Sequence, residues 1–345
     1  MRSEALPRIA ASIAVVVGLV VSVISGLGPP APAREDAVAT PKPVAAAITR
    51  LSFRLPELHG RPYTPNARNI AMRTSALGPL LLFLPATGAV PRDYRAFLGT
   101  AESVGYHVLA LDYWNVGLSV ARTCALDARC YGAVQANRFD GSHPGRFSAI
   151  APADSILSRL THALTVLLDR DPAGGWGQYL KGGRVQWGRV VVAGHSQGGG
   201  ESAFIAHLHH VEGVLMFASP VATDGTISAS WMSKAGATPM SRYYGFDDLH
   251  DVYFDRIRGS WAVLGVGGPH GPVQLGAVPP AIGGSHRIVS DLELGTPGQA
   301  HNRIVADDGP RTTVGEPVFA PIWRWMLNAV LRPAGSVRTG QGVVS

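Results

Sequence analysis

The chain has 345 residues, 46% of them apolar and 16% charged, a balance that suits a folded core and excludes an intrinsically disordered chain. Lys and Arg number 30 against 24 Asp and Glu, a net charge of +6 without any basic block, so a surface that tracks nucleic-acid phosphates is not expected. The length admits two average domains or one large α/β domain.

The first segment is distinctive. Arg2 and Arg8 precede IAASIAVVVGLVVSVISGL (9–27), which carries no charge, and Ala31-Pro32-Ala33 has the small-x-small form of a signal-peptide cleavage site. The apolar run is long for a signal peptide and about long enough to span a bilayer. Residues 1–33 are therefore read as a signal peptide or an N-terminal membrane segment, with cleaved export favoured over a retained anchor. Either way the folded part is expected outside the cytoplasm. Residues 34–50 read as a Pro/Ala linker, 51–335 as one domain and 336–345 as a flexible tail.

From residue 78 short apolar runs alternate with amphipathic ones. PLLLFLP (79–85) is a buried-strand pattern, and YRAFLGTAESVG (94–105) suits a helix stopped by Gly105. YHVLALDYW (106–114) is the next strand. A polar insertion follows at 115–150. It holds both cysteines, Cys124 and Cys130, which in an exported chain read as one small-loop disulfide. Asp154 is the expected N-cap of a helix over 155–170, in which Ile156, Leu157, Leu160, Leu164, Leu167 and Leu168 recur at helical spacing. GRVVVAG (188–194) is a β-branched strand, 198–210 a helix and GVLMFASP (213–220) a strand. RYYGF (242–246) and HRIVSDL (286–292) are further strands, WAVLGVG (261–267) the end of a helix, and PVFAPIWRWMLNAVL (317–331) a closing helix. This alternation predicts an α/β fold: a mainly parallel sheet with helices on both faces and ligands beyond the carboxyl ends of its strands.

The stretch GHSQGGG (194–200) follows one of those strands and precedes a helix. It contains G-x-S-x-G, with Ser196 at its centre, in the strand–turn–helix context that a nucleophile needs. Gly194 and Gly198 relieve crowding two residues to either side of the serine, and Gly199 and Gly200 let the next helix pack close. His195 points away from Ser196 on a strand and reads as a packed or rim histidine. His207, His209 and His210 form H-x-H-H, with positions 207 and 210 on one helical face, but no metal site is expected there. Trp323 and Trp325 read as packing. Tyr113, Trp114 and Trp231 lie nearer the expected site and are candidate pocket walls.

VVVAGHSQGGG resembles the nucleophile turn of the α/β-hydrolase superfamily. The stretch from Asp112 to Ser119 is similar to that superfamily's D-x-x-G-x-G-x-S, with Asn115 where the first glycine usually stands. The resemblance spans roughly 78–330. Residues 79–330 resemble, more closely, an uncharacterised family of exported bacterial α/β hydrolases. The resemblance implies a single α/β-hydrolase domain and a triad in the chain order Ser, acid, His.

That order sends the search beyond residue 220. His250, His270, His286 and His301 are the candidate bases. His286 opens its strand at the wrong edge, whereas His301 follows the same strand through the loop TPGQAHN and is favoured. For the acid, Gly245-Phe246-Asp247-Asp248 is similar to the superfamily's G-x-x-D and nominates Asp248, with Asp247 and Asp251 close behind and Asp224 the outside alternative. The resemblance also implies an oxyanion hole made by the N–H groups of Gln197 and Thr87, with Gly88 as the alternative in the LPATGAVP loop (84–91). The expected protein is an exported serine hydrolase acting on small-molecule or lipid-like carboxylic esters, with no cofactor, no metal and no nucleic-acid partner. A peptidase or thioesterase on the same fold, and a silent binding module, are the other readings.

Overall fold

The computed structural model describes residues 49–124, 127–222, 228–267, 270–273 and 285–331. The chain divides into Met1–Pro43 and Val44–Ser345, and every described residue belongs to the second unit. The expected signal or anchor segment, most of the linker and the 336–345 tail lie outside the described residues. No helix among the described residues is long and apolar enough to cross a membrane.

The chain enters the sheet earlier than expected. Strand β1 (Thr49–Phe53) begins inside the segment read as linker, and pairs antiparallel with β2 (Asn69–Arg73). Then follow β3 (Leu80–Leu84), α1 (Arg95–Ser103) and β4 (His107–Ala110). The insertion is helical: α2 (Val120–Thr123) and α3 (Ala128–Asp140), with Cys124 and Cys130 joined between them. Next come α4 (Ile156–Arg170), a two-strand ribbon β5 (Leu180–Lys181) and β6 (Arg184–Val185), β7 (Val190–His195), α5 (Gln197–Leu208) and β8 (Gly213–Phe217). The rest is β9 (Tyr243–Asp248), α6 (Phe254–Leu264), β10 (His270–Val273), β11 (Arg287–Ser290), α7 (Pro297–Arg303) and α8 (Ala320–Ala329).

Among the described residues, nine strands form one sheet in the order β1-β2-β4-β3-β7-β8-β9-β11-β10. Only the pairings made by β2 are antiparallel. The central strands are apolar throughout because helices cover both faces: all five residues of β3 and Val190–Ala193 of β7 are fully buried. Phe97 of α1 ties the layers together, its ring meeting Phe83 of β3, Phe217 of β8 and Trp323 of α8. Trp323 also donates from its indole to the Ile304 carbonyl, and Trp325 meets Tyr244, so both closing-helix tryptophans serve packing.

Helix α4 corrects one detail of the sequence reading. Its N-cap is Ser155, whose hydroxyl accepts from Ser158 N–H. Asp154 instead accepts from the buried Arg159 guanidinium at 2.9 Å. A carboxylate faced with a buried cation one turn along the chain is worth more paired than capping.

Helix α3 is fastened to α5. Gln135 donates to the Gly200 carbonyl at 2.8 Å and accepts from the Trp231 indole at 2.8 Å. Beside it, Arg138 and Glu201 approach to 3.9 Å with both side chains almost wholly enclosed. Burial pushes the Glu201 carboxyl up to about 8, with Arg138 pulling it down only in part. An unfolded Glu ionises near 4.5, so between these values the unfolded chain has released a proton that the folded one still holds. Stability therefore falls as pH rises through that window. Glu201→Gln removes the dependence. In paired thermal melts the variant should gain on the wild type steadily from pH 5 to pH 8, by a few kcal/mol in all. Parallel curves would mean that Glu201 is already ionised in the fold.

Candidate active site

The strand β7 ends in a turn whose backbone admits few sequences. Ser196 has φ 53° and ψ −115°, a conformation that costs a residue with a side chain ~1–3 kcal/mol. Its N–H is held by the Phe217 carbonyl at 2.8 Å and its carbonyl by Gly200 N–H at 3.0 Å. A Cβ on Gly194 would lie 2.3 Å from the Gly198 carbonyl carbon, and one on Gly198 would lie 2.0 Å from Leu84 O. Both neighbours are backbone and cannot yield. Position 199 is closed by the Ser219 hydroxyl at 1.9 Å, whereas at 200 the nearest atom is the Tyr131 hydroxyl at 3.1 Å. The demand for glycine is thus absolute at three of these positions and mild at the fourth.

His301 comes to this serine from α7. The stretch TPGQAHN, read as a loop, forms that helix: Thr296 and Gln299 cap each other reciprocally and Pro297 occupies the first turn. His301 Nε2 lies 2.8 Å from Ser196 Oγ, and its Nδ1 lies 2.6 Å from Asp251 Oδ2. With Nδ1–H donating to the carboxylate, Nε2 is free to accept from the serine hydroxyl. Asp251 Oδ1 accepts in turn from Tyr253 N–H at 2.6 Å. Burial acts to raise the Asp251 carboxyl, but the hydrogen bond and charge of His301 outweigh it and hold the group below its ordinary value.

Asp248 does not take this position. The strand expected to end at Phe246 continues to Asp248, which is still in register with Ser290 of β11. Its carboxylate turns to His250, accepting from the backbone N–H at 2.9 Å and facing Nδ1 at 3.1 Å. The acid that meets His301 is three residues further on, where the chain has left the ladder. Of the other candidates, His250 lies between Asp248 and Glu293, and His286 bonds the Tyr243 carbonyl at the amino edge of the sheet. His270 opens β10. Asp224 lies outside the described residues.

Thr87 and Gln197 meet beside Ser196, with Thr87 Oγ1 donating to Gln197 Oε1 at 2.9 Å. The N–H of Gly88 is taken by the Asn115 carbonyl and that of Ala86 by the Tyr94 hydroxyl. The Thr87 N–H has no such acceptor among the described residues, and Gln197 opens α5, where an N–H has no partner within the helix. Asn115 earns its departure from the glycine pattern: its side-chain amide donates to the Ala86 and Ala89 carbonyls at 2.6 and 2.8 Å, pinning the loop that carries Thr87.

His195 is more than a packed residue. Its Nδ1 faces the Tyr94 hydroxyl at 2.9 Å and its Nε2 the carbonyl of His301 at 2.9 Å. Burial first, and then the neighbouring His301, hold it down to about 3, so it is a neutral imidazole at ordinary pH. Ala86 N–H, Tyr94, His195 and the His301 carbonyl form one chain from the Thr87 loop to α7. Nothing in the spacing of these four residues announces it.

Ser196 opens on a cavity of ≈ 170 Å³. Its walls include Ala86, Thr87, Val120, Tyr131, Val221 and Tyr253, and no Lys, Arg, Asp or Glu lines it among the described residues. The aromatic walls are thus Tyr131 and Tyr253. Tyr113 and Trp231 do not line it; they donate to Pro85 O and to Gln135 Oε1. The histidines at 207–210 disperse: α5 stops at Leu208, His207 meets Trp231 and His209 stacks on Trp187.

A parallel sheet with one reversed strand, β2, next to its edge, and a strained serine between its central strand and the next helix, are the marks of the α/β-hydrolase fold. Among solved structures the chain is similar to a carboxyl esterase of the fungus Tuber melanosporum, at 13% identity and TM-score 0.43, over 83% of this chain and 88% of that one. It is similar to a dienelactone hydrolase of Anabaena variabilis at 13% identity and TM-score 0.38, over 82% and 95% of the two chains. A hormone-sensitive lipase from a metagenome library gives 13% identity and TM-score 0.38 over 76% and 82%. No protein-family model matches the sequence, and no curated protein matches it.

Proposed function

We propose that the protein is an exported serine hydrolase that cleaves small, uncharged carboxylic esters through an acyl-enzyme. The observation that carries this reading is the continuous relay Ser196–His301–Asp251, with contacts of 2.8 and 2.6 Å. Ser196 Oγ attacks the ester carbonyl as His301 Nε2 takes its proton. The N–H groups of Thr87 and Gln197 receive the developing oxyanion. His301 then returns the proton to the leaving alcohol, and the same steps with water free the acid. Asp251 fixes the imidazole tautomer and stabilises the imidazolium. A silent binding module has no use for a strained serine aligned with a histidine and a buried acid.

The size and neutrality of the cavity favour short acyl groups, and the leader-like N-terminus together with the Cys124–Cys130 disulfide favours an oxidising compartment outside the cytoplasm. A fluorophosphonate should label the folded wild type once, at Ser196. Across p-nitrophenyl esters, kcat/KM should be highest for acetate to butyrate and fall for longer chains. Failure of the folded protein to react with the probe would sink the proposal.

A further inference from the structure

Strand β9 brings a second carboxyl to the acid of the relay. Asp247 is fully enclosed, on the face of the strand opposite Asp248 and in register with Val289. Its carboxyl and that of Asp251 bear directly on each other's charge. Neither oxygen of Asp247 finds a hydrogen-bond donor among the described residues. Asp251, in contrast, accepts from His301 Nδ1 and from Tyr253 N–H.

Two carboxylates in contact inside a protein do not both ionise; a proton lies between them. The donors around Asp251 stabilise its charge, and none does so for Asp247, so the proton resides on Asp247. We infer that Asp247 is a positioning residue: a neutral carboxylic acid whose O–H donates to Asp251, fixing that carboxylate toward His301. This rests on the reading of Asp251 as the acid of a catalytic relay. The hydrogen bond occupies one lone pair of Asp251 and makes it a weaker base, so the imidazolium proton stays on His301. The charged groups that bear on Asp247 are Asp251 and Asp248, and no Lys, Arg or His among the described residues pairs with it. Burial, and then Asp251, hold its carboxyl well above the usual carboxylate range.

Asp247→Asn and Asp247→Leu separate this role from space filling. An amide N–H can replace the donated O–H; a leucine cannot. Asn should keep kcat within about threefold of the wild type over the whole pH profile. Leu should lower kcat by about 10–100-fold with KM little changed, and should move the acidic limb of kcat/KM upward, because an undonated Asp251 is a stronger base toward His301. An infrared difference spectrum between wild type and Asp247→Asn at pH 7 should show the C=O stretch of a neutral carboxylic acid in the wild type. Its absence would overturn the inference, as would a Leu variant that matches Asn in kcat and pH profile. If the protein turns over no ester, the hydrolase reading fails while the infrared measurement still decides the state of Asp247.

Discussion

Asp251→Asn is expected to lower kcat by about 10⁴-fold with KM nearly unchanged, because an amide in place of the carboxylate presents a donor to His301 Nδ1 and forces the wrong tautomer. Nε2 then carries a proton and cannot take one from Ser196. Asp248→Asn is the matched control. Its carboxylate meets His250, so activity should stay within a few-fold. Steady-state kinetics on p-nitrophenyl acetate with both variants decides the matter. Equal losses, or a larger loss in Asp248→Asn, would reject the assignment of the acid.

Ser196→Ala and Ser196→Gly should each lower kcat by about 10⁶-fold, leaving only what the oxyanion donors contribute. Their stabilities should differ. Alanine keeps a Cβ at φ 53° and retains the strain of the turn. Glycine releases ~1–3 kcal/mol of strain and gives back ~0.5–1 kcal/mol in the entropy of the unfolded chain. Ser196→Gly should therefore melt a few degrees above Ser196→Ala. Identical melting temperatures would show that the turn bears no strain that a side chain must resist.

The sheet centre and the strand–turn–helix around Ser196 were legible because their physics is local. Val190–Ala193 must be buried on both faces, and the glycines around Ser196 answer to backbone atoms within a few residues or in the neighbouring strand. His301 was legible by its place past the carboxyl end of β11, whereas His286 opens that strand at the opposite edge. The helix that carries it was read as a loop, although Thr296, Pro297 and Gln299 are a cap, first-turn proline and capping-box partner in sequence. Which of the shortlisted Asp247, Asp248 and Asp251 meets His301 was not legible. RYYGF carries no signal that the strand continues through two aspartates, and the continuation is set by pairing with Val289 and Ser290 some forty residues away. Strands β1 and β2 were missed for a similar reason. They are short and lie at the sheet edge, and β1 alternates half-buried with exposed residues among polar neighbours.

The bond from Gln135 to the Gly200 carbonyl fastens one wall of the pocket to the helix after Ser196. Helix α3 carries Tyr131 into the cavity wall, and it holds a carbonyl four residues from Ser196. Any outward swing of α3 pulls on the turn that presents Ser196. On the proposed function, substrates would then be sorted by a fixed contour and not by how readily a flap lets them in. A change in the acyl preference expected of such a hydrolase would then have to come from new side chains on α2 and α3, because loosening α3 would also disturb the turn that carries Ser196.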